Sequence, residues 1–130
     1  MKYLLDVNAL VALGIFHHGF HDRVTAWITS QAGAQWLTCS ITELGFVRVI
    51  AQRPDYGFTV QQAQTLLLGL KANSKLRLAF LSDGNDISLL PTWVKKPSQT
   101  TDGHLLQLAN ANGAVLATLD AGIPGAFLIP

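Results

Sequence analysis

The run Tyr3-Leu4-Leu5-Asp6-Val7-Asn8-Ala9-Leu10-Val11-Ala12-Leu13 begins with three apolar residues stopped by a carboxylate. Consecutive apolar residues, rather than an alternation, suit a short strand buried on both faces, and such strands belong to parallel sheets. From Val7 to Phe16 the chain is apolar enough for a short helix or turn that leaves the sheet. A similar pattern recurs near the other end, where Ala114-Val115-Leu116-Ala117 reads as a buried strand leading to Asp120.

The elements between follow from periodicity. His21 to Gln31 carries Val24, Trp27 and Ile28 at the 3.6 spacing of a helix with one buried face. Gln35 to Cys39 is strand-like. Ser40 with Glu43 three residues on forms a capping box, predicting a helix that runs toward Arg53 and stops at Pro54. Thr59 begins the longest helical pattern, with Val60, Ala63, Leu66, Leu67 and Leu70 on one stripe and an end near Asn73. Lys75 to Leu81 fits a strand or a helix. Ile87-Ser88-Leu89-Leu90 before Pro91 reads as a strand. Thr101 to Asn112 is a helix with Leu105, Leu106 and Ala109 inward and Gly113 as its stop, and Ala126 to Ile129 is a last short strand. Strands alternating with helices imply right-handed crossovers, so the predicted fold is α/β: a three-layer α/β/α sandwich with a mostly parallel sheet of about five strands. With 130 residues and no repeat or linker, a single domain over 1–130 is expected.

Composition narrows the function. The chain is 49% hydrophobic and 13% charged, with nine Lys plus Arg against eight Asp plus Glu, a net charge of +1. That balance excludes a protein that grips nucleic acid through a broad basic surface. The lone Cys39 sits in an apolar run and reads as a buried small hydrophobe in a reducing compartment. A carboxylate at the sixth residue interrupts any signal-peptide core, and no apolar stretch is long enough to cross a bilayer, so the expected setting is soluble and cytoplasmic, with no membrane partner.

The eight carboxylates divide by context. Asp22, Asp55, Asp83 and Asp86 lie in turns or helix starts, where carboxylates act as caps. Asp6, Glu43, Asp102 and Asp120 lie at edges of apolar elements: two after strands, two in the first turn of helices that follow strands. A helix's first turn favours a carboxylate through the dipole, so each alone has an ordinary structural explanation. Together, four on the carboxyl edge of one sheet would repel one another, and a divalent cation is what relieves such repulsion. Oxygen ligands with no His or Cys partner point to Mg²⁺ or Mn²⁺, and the chemistry suited to that site is phosphodiester hydrolysis. Asn8 and Thr118, each two residues from one of these acids, are candidate polar supports.

Four segments taken in order resemble the PIN-domain family, and within it the VapC-type ribonuclease toxins of bacterial toxin–antitoxin pairs: Leu4 to Leu13, Ser40 to Arg48, Thr101 to Ala109 and Leu116 to Asp120. The resemblance spans nearly the whole chain. It implies an acidic pocket that binds Mg²⁺ or Mn²⁺, endoribonuclease activity on RNA, restraint by a VapB-type antitoxin protein, and a homodimer. By position, Asp6, Glu43, Asp102 and Asp120 match the family's catalytic acids, with Asp6, Asp102 and Asp120 as metal ligands, while Asn8 and Thr118 match its supporting polar positions. Arg48 falls near the site in the family's pattern and is a candidate RNA contact. Gly103 departs from the pattern, because glycine weakens a helix start.

The remaining polar residues read more plainly. His17, His18 and His21 are expected in a loop, His104 against solvent or packed, and Arg53, Lys95 and Lys96 solvated, with Trp93 a candidate for holding a base; Trp27 and Trp36 are expected in the core. The competing functions are a PIN nuclease of RNA processing without a toxin role, and a non-catalytic PIN module that binds a partner or DNA. A receiver-type phosphoacceptor fits poorly, since Val7-Asn8 follow Asp6 where a second acid is wanted and no Lys follows Lys96.

Overall fold

A computed structural model describes residues 1–130. Its strands are β1 (Lys2–Leu5), β2 (Gln35–Thr38), β3 (Ala79–Phe80), β4 (Val115–Thr118) and β5 (Phe127–Leu128). The helices are α1 (Val7–Gly14), α2 (His21–Ser30), α3 (Ser40–Gln52), α4 (Val60–Ala72) and α5 (Thr100–Ala111). The five strands form one sheet in the order β3-β2-β1-β4-β5, and every pairing is parallel. No helix is long and apolar enough to cross a membrane.

Alternation along the strands sorts side chains onto two cores. Tyr3, Leu5, Trp36 and Ala117 face one side with residues of α1, α2, α3 and α4, whereas Leu4, Leu37 and Leu116 face the other with Leu105, Leu106 and Leu108 of α5. The three layers are thus four helices, the sheet and α5. Trp27 and Trp36 lie in the first core, where Tyr3 stacks on Trp36 at 5.3 Å and meets Trp27 edge-on at 4.9 Å. Cys39 is fully buried in the second core. Full burial of each leucine of α5 stabilises by roughly 1.5–3 kcal/mol, enough to hold a helix whose own propensity includes a glycine.

Two glycines permit the approaches that shape the sheet's carboxyl edge. A Cβ on Gly103 would lie 2.4 Å from Cγ2 of Val94 and 3.3 Å from Cδ of Pro91, so glycine in the first turn of α5 lets the 90–94 segment close over that helix. Gly45 plays the same part in α3, where a Cβ would come within 2.5 Å of Cγ2 of Val7 in the first turn of α1.

Several sequence expectations are corrected. Ile87–Leu89 is a 3-10 turn rather than a strand, because the Asp86 carboxylate accepts the Ser88 N–H at 2.9 Å and bends the chain before Pro91 ends it. The cap of α3 is Cys39, not Ser40: the Thr42 hydroxyl accepts the Cys39 N–H at 2.9 Å, which leaves Glu43 out of the cap. Val60 lies off the inward stripe of α4, 62% exposed. The open segment from Lys75 resolves into a turn, with Arg77 in a left-handed conformation at φ 50° that ends the turn before β3.

Candidate active site

Strand order changes direction at β1, with β2 and β3 on one side and β4 and β5 on the other. In parallel sheets a crevice opens at such a switch, outside the strands' carboxyl ends. Here that crevice is a cavity of about 370 Å³ whose lining includes Asp6, Asp102, Asp120, Asn8 and Arg48.

Asp6 ends β1 and caps α1. Its extended backbone lets Oδ1 accept the Val7 N–H at 2.7 Å, while Oδ2 accepts the Thr118 hydroxyl, also at 2.7 Å. The Thr118 oxygen in turn accepts from Nδ2 of Asn8 and from the backbone N–H of Asp120, both at 3.1 Å. Oδ1 of Asn8 accepts the Leu119 N–H at 3.1 Å. One hydroxyl therefore ties the ends of β1 and β4 together and sets Asp6 against Asp120. Asp102 enters from the first turn of α5. Asp120 projects from the turn beyond β4, with one oxygen on the Gly122 N–H at 2.8 Å.

Burial pushes the Asp6 carboxyl up; its two hydrogen bonds oppose that rise and the charge of Asp120 adds to it. Asp102 is also raised, first by burial and then by the charges of Asp6 and Asp120. The three carboxylates thus feel one another. As the side chains stand, no three His, Cys, Asp or Glu groups form a ready-made metal cluster. The donor set nonetheless fits a hard divalent cation: every donor is an oxygen, and a positive charge would relieve the repulsion that raises Asp6 and Asp102.

Glu43 is not in this lining. It lies at the same sheet edge over β2, where its Oε2 accepts from the Thr38 hydroxyl at 2.6 Å and from Nζ of Lys71 at 2.7 Å. It faces a second hollow of about 530 Å³ between α3 and α4, lined by apolar residues including Leu44, Val60, Leu68 and Phe80. Among the four sequence-selected acids, three share one cavity and the fourth is paired beside it. The remaining acids are not all plain turn residues either, since Asp83 bonds His104 of α5. Trp93 packs half-buried against the α5 core.

The acid cavity is also lined by His18, Arg53, Tyr56 and Thr101, which the sequence did not single out as site residues. His18 lay in a histidine cluster read as a loop. Arg53 and Tyr56 flank Pro54-Asp55, the point where α3 stops, and no local pattern says that this turn folds back toward the acids.

Because the folded state raises Asp6 and Asp102 above their unfolded values, ionising them costs stability. The penalty sets in as pH rises out of the ordinary carboxylate range and is complete above the raised values. In excess chelator, Asp102→Asn should therefore raise the melting temperature at neutral pH by about 3 °C for each kcal/mol of relieved repulsion. The gain should shrink as pH falls through the raised range. Thermal melts across pH check this; an unchanged or lowered melting temperature at neutral pH would mean that the carboxylates do not strain one another.

Comparison with known proteins agrees with this architecture, although no protein-family model matches the chain. It is 42% identical over 126 residues to ribonuclease VapC38 of Mycobacterium tuberculosis, covering 92% of this chain and 86% of that one. It is 39% identical over 129 residues to ribonuclease VapC44 of the same organism, covering 95% and 89%. Among solved structures, M. tuberculosis VapC20, a toxin that cleaves the sarcin–ricin loop, superposes with a TM-score of 0.68 at 11% identity over 98% of this chain and 99% of that one. VapBC2 of Rickettsia felis, solved on a fragment of promoter DNA, gives 0.63 at 16% identity, over 98% and 97%. The last two share the fold, and the first two carry the kinship: the chain belongs to the VapC ribonuclease family.

Proposed function

We propose that the chain is a metal-dependent endoribonuclease that hydrolyses RNA in the cytoplasm as the toxin of a toxin–antitoxin pair, restrained by a VapB-type antitoxin. The observation that supports this reading is the convergence of Asp6, Asp102 and Asp120 on one cavity at the switch in strand order. These three would hold Mg²⁺ or Mn²⁺, which when bound supplies a polarised water and charge stabilisation on the phosphoryl oxygens. Thr118 and Asn8 keep Asp6 in one orientation. Arg48, which enters no ion pair, offers a cation to the RNA phosphate. Glu43 is the fourth catalytic acid of the family pattern; tied to Thr38 and Lys71, it acts from further off than the other three.

The antitoxin is the partner we assign to the hollow between α3 and α4. Leu44, Val60 and Leu68 stand 67%, 62% and 55% exposed there, a contiguous apolar face of the kind that partners cover. The solved VapBC2 assembly, a toxin-and-antitoxin complex of the same fold, supports that occupant. A second copy of this chain is the competing one.

Purified, antitoxin-free chain should cleave RNA in Mg²⁺ or Mn²⁺. Activity should vanish with chelator and fall by about 100-fold or more in Asp6→Asn, with a smaller loss in Glu43→Gln. Failure to cut any RNA, or full activity in Asp6→Asn, would overturn the nuclease reading; cleavage without growth arrest on expression would remove only the toxin role. In a second experiment, Leu68→Asp should weaken antitoxin binding at least about tenfold while RNA cleavage persists. Unchanged antitoxin binding, or loss of a homodimer in its place, would reassign that face.

A further inference from the structure

The wall of the acid cavity formed by the turn after α3 has a construction that simple charge does not explain. Arg53 lines the cavity, yet its guanidinium is already engaged: Nε and Nη2 donate to the two oxygens of Asp55 at 3.1 and 2.8 Å. Its Cζ lies over the Tyr56 ring, 4.6 Å from the centroid, and Tyr56 is braced by the edge-on ring of His17 at 5.7 Å. A guanidinium meant to fork a phosphate would keep that edge open. Here the Nε/Nη2 edge is occupied and the Tyr56 ring lies against the group, while the side chain remains 53% exposed. What is left is the Nη1 end and the face turned away from Tyr56, and guanidinium planes stack nucleobases.

The neighbouring groups complement that face. Arg48 is the unpaired cation of the cavity. His18 accepts the Phe20 N–H on Nδ1 at 3.0 Å, so the neutral ring carries its proton on Nε2. Burial, with Arg53 next, holds His18 below its ordinary value and keeps it neutral at physiological pH.

We propose that the Arg53–Tyr56 stack, pinned by Asp55, is a nucleobase platform that seats an unpaired base of single-stranded RNA beside the three carboxylates, with Arg48 taking a neighbouring phosphate. The proposal rests on the nuclease reading for its ligand, and it divides the cavity wall into a stacking residue and a charge residue.

The division is testable by fluorescence anisotropy on the full chain in excess chelator, using a short labelled single-stranded RNA and a matched RNA with abasic positions. Arg53→Lys keeps the charge and removes the plane. It should weaken binding of the normal RNA about tenfold, leave its salt dependence unchanged, and have little effect on the abasic RNA. Arg48→Gln should weaken both RNAs alike and reduce the slope of log affinity against log salt by about one. Asp55→Asn, which frees the guanidinium edge to fork a phosphate, should narrow the difference between the normal and the abasic RNA and steepen the salt dependence. Melting temperatures within a degree or two of the parent would show that the variants fold.

Equal binding by Arg53→Lys, an equal loss on abasic RNA, or no measurable binding by the unsubstituted chain would overturn the proposal. The two readings can fail separately. A chain that cleaves RNA but is indifferent to Arg53→Lys loses only the platform; a chain that never cleaves but shows the base-dependent loss keeps the platform and loses the nuclease.

Discussion

A single hydroxyl proton organises this protein's carboxyl edge. Thr118 donates it to Asp6 at 2.7 Å, and the same oxygen accepts from Asn8 and from the Asp120 backbone. The arrangement depends on register: Leu5 pairs with Ala117, so the next residues along β1 and β4 are Asp6 and Thr118. A slip of one residue would turn Thr118 into the opposite face, because side chains alternate along a strand. The two cores make that slip costly, since Leu116 fits against α5 and Ala117 against the four-helix side. Packing on both faces of the sheet thus fixes a hydrogen bond, and the hydrogen bond fixes a carboxylate.

Charge at this edge is arranged unevenly. Glu43 is paired with Lys71, and Asp83 is hydrogen-bonded to His104, whereas Asp6, Asp102 and Asp120 enter no ion pair. Burial and mutual repulsion raise two of the three, which is a stored cost that the surrounding fold sustains. A net charge of +1 conceals this polarity, because the cations that balance the total are spent elsewhere or stand at the cavity wall. Under the proposed function, RNA would meet a small, strongly polarised pocket.

The sheet was legible because buried parallel strands are written as short apolar runs, and Leu4, Leu116 and Leu37 could hardly be anything else. The three converging acids were legible because each is the first charged residue past such a run or lies in the first turn of a following helix. Glu43 met the same test and yet diverged: its partner Lys71 lies 28 residues away on α4, and no local pattern reveals a pairing of that range. The cap of α3 was misjudged because Ser40 and Glu43 have the right spacing, while the operative pair, Cys39 and Thr42, sits one residue earlier. Ile87 to Leu90 looked like a strand because a four-residue apolar run does not say whether a sheet edge is available to it. Gly103 weakens a helix start when judged locally; its reason is Val94 and Pro91, which approach from a separate segment. The Arg53–Tyr56 wall was invisible for the same reason, being made by a turn folding back on a site whose other residues are far off in sequence.

Everything proposed for this cavity depends on the three carboxylates acting as one ligand set. A crystal soaked in Mn²⁺ and measured at the metal's absorption edge locates the ion without reference to activity. An anomalous peak is expected within coordination distance of Asp6, Asp102 and Asp120, with Glu43 still on Lys71. A peak centred on Glu43, or a saturated crystal with no peak in the cavity, would contradict it.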